Sequence, residues 1–285
     1  MLRETLLADG LASRTVKETI ATEVSRANQC LYCVGVHQAL LETLPPDRTL
    51  SPIIEWARTA GRHNPENPTP STTPPPFPET QAPELCGVVV TFHYINRMAT
   101  LFLADSPMPA RTPTALHRPI MHTTAHAMRP TTPGPLTPGE SLDLLPPAPL
   151  PHGLEWALSN PPVAQALARA HAAVNQGAHW IPRTARKQLH THLNQWNGSH
   201  PGPSRAWLNK ALTKLPPEEI PTTQLALLTA LAPHQTLPDD ITAFKNQHPT
   251  DRELIELTSY AALTTAIHIG SHIHPPHRAD TKPTP

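Results

Sequence analysis

The sequence predicts an all-α fold, and three observations carry that expectation. Apolar residues recur at steps of three and four through most of the chain, the pattern of helix faces packed on a core. No Val/Ile-rich run bounded by hairpin turns appears, so strands have no evident place. The 38 Pro residues cluster between the periodic segments. Pro lacks an amide donor and fixes its own φ, so such clusters separate helices and do not build their interiors.

In chain order, residues 2–8 form a short amphipathic piece ended by Gly10. Val16, Ile20, Val24 and Ala27 then mark one apolar helix face. Residues 31–44 continue helically until Pro45 and Pro46 stop them. Residues 53–62 and 84–103 follow. The second of these is rich in β-branched residues, which makes a strand the competing reading, but its length favours a helix. The second half offers helices over 163–174, 185–196, 204–215, 222–232 and 252–271. The Pro-rich stretches read as extended linkers or loops. Recognition by a proline-binding module is the lesser alternative for them.

The two halves look like a repeat. A shift of 169 places Arg14-Thr15 on Arg183-Thr184, Asn28 on Asn197, Pro52 on Pro221, and Glu84-Leu85 on Glu253-Leu254. One register serving several separated segments points to internal duplication. The expected organisation is a first helical repeat over 1–106 with a Pro-rich loop at 64–83. A Pro-rich linker at 107–151, a degenerate second repeat at 152–274 and a disordered tail at 275–285 complete it.

At 285 residues the chain can bury a substantial core. Its 22 Lys and Arg balance 22 Asp and Glu, and no basic cluster supplies a nucleic-acid footprint. The N-terminus lacks the unbroken apolar run of a signal peptide. The longest apolar stretch, 85–103, is interrupted by His93, Asn96 and Arg97, so no membrane span is expected. Three Cys are too few for a disulfide framework. The expectation is a soluble protein of a reducing cytoplasm with neither nucleic-acid nor membrane partners. There, paired Cys are more often catalytic or metal-binding than structural.

The chemistry concentrates between residues 18 and 37. Cys30 and Cys33 form a C-x-x-C, with Tyr32 between them and His37 four residues beyond the second thiol. If Cys30 opens a helix, Cys33 and His37 share a face, because positions three and four apart are neighbours. A helix start and a neighbouring thiol both lower a thiol pKa. A thiolate attacks hydroperoxides to give a sulfenic acid, which a second thiol condenses into a disulfide. The plainer reading is two small buried hydrophobes. His37 is of the residue type suited to proton transfer, or is an ordinary helix His among eighteen. Glu18 fits a capping box with Thr15, and Glu23 is the carboxylate closer to Cys30. His93 lies on the 84–103 helix, as a cavity-lining residue or a satisfied core His. Cys86 reads as packing. Asn96 and Arg97 either bind an anion or hold a helix contact.

The segment resembles the alkylhydroperoxidase (AhpD-like) and carboxymuconolactone decarboxylase family. Redox-active members carry a Glu, a C-x-x-C twelve residues on, often Tyr before the second Cys, and His four later. Glu18, Cys30, Tyr32, Cys33 and His37 match that pattern position by position. The close match covers residues 12–44 and continues loosely through 88–98. Tyr32 stands where some members have a second His, and decarboxylating members lack the C-x-x-C. The resemblance implies an all-helical, usually oligomeric fold and a hydroperoxide substrate, with no metal or other cofactor. It implies attack by Cys33, resolution by Cys30, and a proton relay through Glu18 and His37. Tyr32 and His93 are, apart from that, candidates to line the cavity. An external dithiol, from a lipoyl-protein or a thioredoxin-like partner, would reduce the disulfide. The second half has Lys187, Ser199, Gly202 and about Leu208 at the corresponding places, so it would keep the scaffold without the chemistry. A zinc-binding or redox-sensing protein using Glu18, Cys30, Cys33 and His37 is the alternative.

Overall fold

The computed structural model describes the chain except for residues 48–49, 64, 66–74, 109–111, 114–118, 121–122, 124–134 and 275–285. The expected tail at 275–285 lies outside the described residues, as do most of the 64–74 stretch and much of 109–134. Among the described residues the regular structure is entirely helical. In chain order the helices are α1 (Arg14–Ala27), α2 (Leu31–Leu41), α3 (Ser51–Thr59), α4 (Ala82–Phe102) and α5 (Pro161–Gly177). They continue as α6 (Arg183–Gln195), α7 (Ala206–Leu212), α8 (Ile220–Leu231), α9 (Pro238–Lys245) and α10 (Asp251–Gly270). The N-terminal piece is a single π-helical segment, Arg3–Leu7. Helix α9 escapes the sequence reading: it is eight residues long, opens on Pro238 and shows its core one Phe244, too little to reveal a period.

Helix α1 begins at Ser13, whose side chain accepts from the Val16 amide. That corrects the capping-box reading of Thr15 and Glu18. The hydroxyl of Thr15 donates instead to the Pro45 carbonyl, 3.2 Å away. Along the buried body of α1, Thr19, Thr22 and Ser25 each donate to the carbonyl four residues back, at 2.7 to 2.8 Å. These bonds satisfy hydroxyls that have no water to reach. A turn through Gln29, at φ 57°, leads into α2, and the Cys30 amide bonds the Ser25 carbonyl at 3.0 Å.

Helix α4, roughly 30 Å long at 1.5 Å per residue, is the central element and settles the helix-or-strand question at 84–103. It packs against α1, α2, α5, α8 and α10. Residues Glu79–Phe102 are long and apolar enough to cross a membrane, contrary to the expectation that no stretch would be, but 67% of that window is buried within the protein. His93, Asn96 and Arg97 are buried with it, each hydrogen-bonded inside the protein. The stretch is therefore a core helix.

One hydrophobic cluster joins both halves. Leu6, Ile20, Val24, Leu85, Val89 and Phe92 from the first half meet Leu154, Val163, Leu167, Leu263, Ala266 and Ile269 from the second. A second cluster lies within 178–261. Residues 135–151 are anchored to the N-terminal segment: Glu4 accepts from the Gly139 and Ser141 amides, Arg3 pairs with Glu140, and Asp9 bonds Leu136. Near this join Lys17 and Glu84, both 2% exposed, form a 2.6 Å ion pair. Glu84 also accepts from the Leu11 and Ala12 amides. Gly10 is required here, since a Cβ would sit 2.3 Å from the Glu84 carboxylate.

Candidate active site

The α1–α2 hairpin brings Glu18 against His37. The Glu18 side chain is fully buried. Its Oε2 lies 2.7 Å from His37 Nδ1, and its Oε1 accepts from Arg14 Nη2 at 2.6 Å and Nε at 2.9 Å. Burial pushes the carboxyl up, but the hydrogen bond and charge of His37, followed by those of Arg14, outweigh it and hold Glu18 below the usual carboxylate range. A carboxylate on Nδ1 fixes the imidazole so that Nε2 points away from it. The edge of the ring meets Phe92 of α4, with centroids 4.6 Å apart.

Cys30 is the N-cap residue of α2, so the thiol pair stands at a helix start as the spacing predicts. Both thiols are free and buried, at 2% and 3% exposure. They pack with Ala99, Ile95 and Tyr32. Cys30 and Cys33 share a hydrogen bond. That bond, helped by Asn96 and Thr100 and opposed by burial, lowers Cys30 to about 7. The Cys33 thiol is pushed up in return, because it holds the proton that stabilises its neighbour. In a coupled pair of this kind the first proton leaves near neutrality and the second is retained.

Two residues at the thiols escaped assignment from sequence. Asn96 lies beside both sulfurs and favours their charged forms. It is held in turn by Ser25, at 3.0 Å from its Nδ2, and by Asn28, at 2.9 Å to its Oδ1. A buried amide inside an apolar helical run was the available signal. Thr100, one turn further along α4, offered none. Arg97 holds a helix contact, bonding the Ala230 carbonyl of α8 at 2.8 Å.

His93 sits beside the thiol site and not on it. Its Nδ1 lies 3.1 Å from Asn28 Nδ2. It lines a cavity of about 300 Å³ with Asn28, Arg58, Gly61 and His200, a lining that includes neither thiol. Burial, then the charges of Arg97 and His200, push its pKa well down, so the ring is neutral. Tyr32 packs on the thiols and on Val36 and Leu40. Glu23 is turned away to Arg58, at 2.7 Å, and Arg26, at 3.3 Å. Cys86 is fully buried, and burial raises its thiol pKa. Among the described residues, the close group of metal-capable side chains does not include Glu18, Cys30, Cys33 or His37.

No family model and no solved structure matches the chain. An alkyl hydroperoxide reductase of Mycobacterium tuberculosis is 31% identical over 289 residues, spanning 95% of this chain and 80% of the relative. The chain belongs to the AhpD-like alkyl hydroperoxide reductase family. Membership makes it an oxidoreductase of the peroxidase-like class. In this AhpD-like chain the Glu–His pair and the thiol pair come from one helical hairpin, and the polar side chains beside the thiols, Asn96 and Thr100, come from α4.

Proposed function

We propose that the chain reduces hydroperoxides through the Cys30–Cys33 pair and is regenerated by an external dithiol. The observation that carries this reading is a buried pair of free thiols at a helix start, in a chain of this family. Following the family pattern, Cys33 attacks. The resting charge lies on Cys30, so the shared proton first passes from Cys33 to Cys30 across their hydrogen bond. The Cys33 thiolate then attacks the distal peroxide oxygen and displaces the alkoxide. The O–O bond breaks, the sulfur is oxidised to a sulfenic acid, and the leaving alkoxide takes a proton. His37, oriented by Glu18, supplies that proton and is recharged from solvent. Cys30 then attacks the sulfenic sulfur, an S–S bond forms as the S–O bond breaks, and the proton Cys30 had received passes to the departing hydroxide, which leaves as water. A dithiol of the lipoyl or thioredoxin type reduces the disulfide by two exchange steps. Because both sulfurs are almost wholly buried, the pocket must open for peroxide and more widely for the reductant.

The same reading takes the protein as a cytoplasmic, non-membrane enzyme that assembles with copies of itself. It takes residues 152–274 as a degenerate second repeat. In its support, the starts of α1, α3 and α4 at residues 14, 51 and 82 are each followed 169 residues later by the starts of α6, α8 and α10.

The test is turnover of tert-butyl or cumene hydroperoxide with a dithiol reductant. Cys33→Ser is expected to abolish turnover, by at least about 1,000-fold given that the nucleophile is removed. Cys30→Ser is expected to stall after one sulfenic-acid event per chain, trapped with dimedone. Dimedone adduct on Cys30 in the Cys33→Ser protein would reverse the two roles, and unchanged turnover in both variants would reject the mechanism.

A further inference from the structure

We propose that His63, His268 and His272 form a binding site for a divalent transition-metal ion of the zinc type, separate from the thiol centre. Their candidate ligand nitrogens all lie within 4.8 Å of one another, the one such group of metal-capable side chains among the described residues. His268 and His272 are four apart on α10 and its C-cap turn, so they share a face. His63 arrives from the loop after α3, and its amide bonds the Asn197 carbonyl at 3.1 Å. The rings gather closely, with centroids 4.2 Å apart for His63 and His272 and 4.8 Å for His268 and His272.

Each ring has a nitrogen not engaged in a hydrogen bond within the protein. His63 Nδ1 and His268 Nε2 are buried with no hydrogen-bond partner, an unusual cost for two polar atoms so close together. The His63 ring lies against the backbone of Gly61 and Trp196. His272 Nδ1 donates to the His268 carbonyl at 2.7 Å, so its Nε2 is the free one. Metal-bound imidazoles are ordinarily oriented by this kind of backbone acceptor on the second nitrogen. Imidazole nitrogens gathered this closely, two of them without partners, are a donor set that a borderline cation takes.

Zinc–nitrogen bonds of about 2.0–2.1 Å place tetrahedral ligands roughly 3.3 Å apart. The rings therefore need to close by about 1.5 Å, within reach of side-chain rotation in half-buried residues. His268 also lines a cavity of about 390 Å³ with His171 and His190, which gives the ion an entry route and a water as fourth ligand. The bound ion would tie the loop after α3 to the end of α10, and so the first half of the chain to the second.

The test uses the full-length protein stripped with chelator and titrated with Co2+, followed by visible absorption and elemental analysis, with Zn2+ as competitor. One Co2+ per chain with a tetrahedral spectrum is expected, and the same in a Cys30→Ser/Cys33→Ser protein, without a thiolate charge-transfer band in either. His268→Gln/His272→Gln is expected to weaken binding by at least about 100-fold, and His63→Gln, on a loop, to weaken it similarly without disturbing a helix. Zn2+ should raise the wild-type melting temperature by mass action and leave that of His63→Gln unchanged. Absence of stoichiometric Co2+ in the wild type, binding lost with the Cys pair, or unaltered binding in His63→Gln would each overturn the proposal.

Discussion

Glu18 shows how a single residue's partners determine its chemistry. It is buried, yet His37 and Arg14 favour its charged form enough to hold it below the usual carboxylate range. A carboxyl whose folded pKa is depressed contributes its full stabilisation above its unfolded value, about 4.3. That contribution is lost as pH falls through the lower folded value. The melting temperature of the wild type is therefore expected to fall more steeply below about pH 4.5 than that of Glu18→Gln, a comparison calorimetry can make. The thiols titrate in the other part of the range. With Cys30 lowered to about 7, the first-turnover rate should climb through neutrality and level off above about pH 8, where the thiolate is fully formed. Asn96→Ala removes the amide beside both sulfurs and is expected to move that inflection upward in stopped-flow measurements. An inflection that stays in place would show that Asn96 contributes packing alone.

At the level of the element, α1 carries more than its length suggests. Its N-cap is Ser13, and Ser13→Ala should cost about 1 kcal/mol in denaturant unfolding. Lys17, one turn on, is a different case. Its ammonium is paired with Glu84 at 2.6 Å and donates to the Ala8 carbonyl at 3.0 Å. Lys17→Met leaves the Glu84 carboxylate buried against the Leu11 and Ala12 amides without its cation, at an expected cost of about 3–5 kcal/mol. The capping-box pattern in Thr15 and Glu18 was legible and wrong. Ser13, two residues earlier, offers the cap, and Glu18 has a stronger partner across the hairpin in His37. Local sequence rules rank local partners, whereas the contest here is settled by a residue nineteen positions away.

Across the whole molecule the halves depend on one another. The cluster around α4 is completed by Leu154, Val163, Leu167, Leu263 and Ile269. A fragment of residues 1–106 would therefore expose that surface, and its circular dichroism is expected to show much less helix than its share of the intact chain. A small contact elsewhere reports the same dependence. Gly198 has φ +83°, and a Cβ there would lie 1.8 Å from the Gly61 carbonyl oxygen. Gly198→Ala is expected to destabilise by at least about 2 kcal/mol, from the left-handed backbone and the forced separation of the two loops.

The helical class, most helix positions and the catalytic candidates were legible because they rest on short-range rules: periodicity, Pro punctuation and the spacing of Glu18, Cys30, Cys33 and His37. What only the tertiary structure decided is which side chains α4 contributes. It sends Asn96 and Thr100 to the thiols, places His93 in a neighbouring cavity, and uses Arg97 as a bond to α8. Residues 93, 96 and 97 are close in the chain yet fan around the axis, since each step of one residue turns the helix by about 100°. Which of them reaches the sulfurs depends on how α4 is rotated against α1 and α2. That rotation is set by packing between distant segments, which no local pattern records.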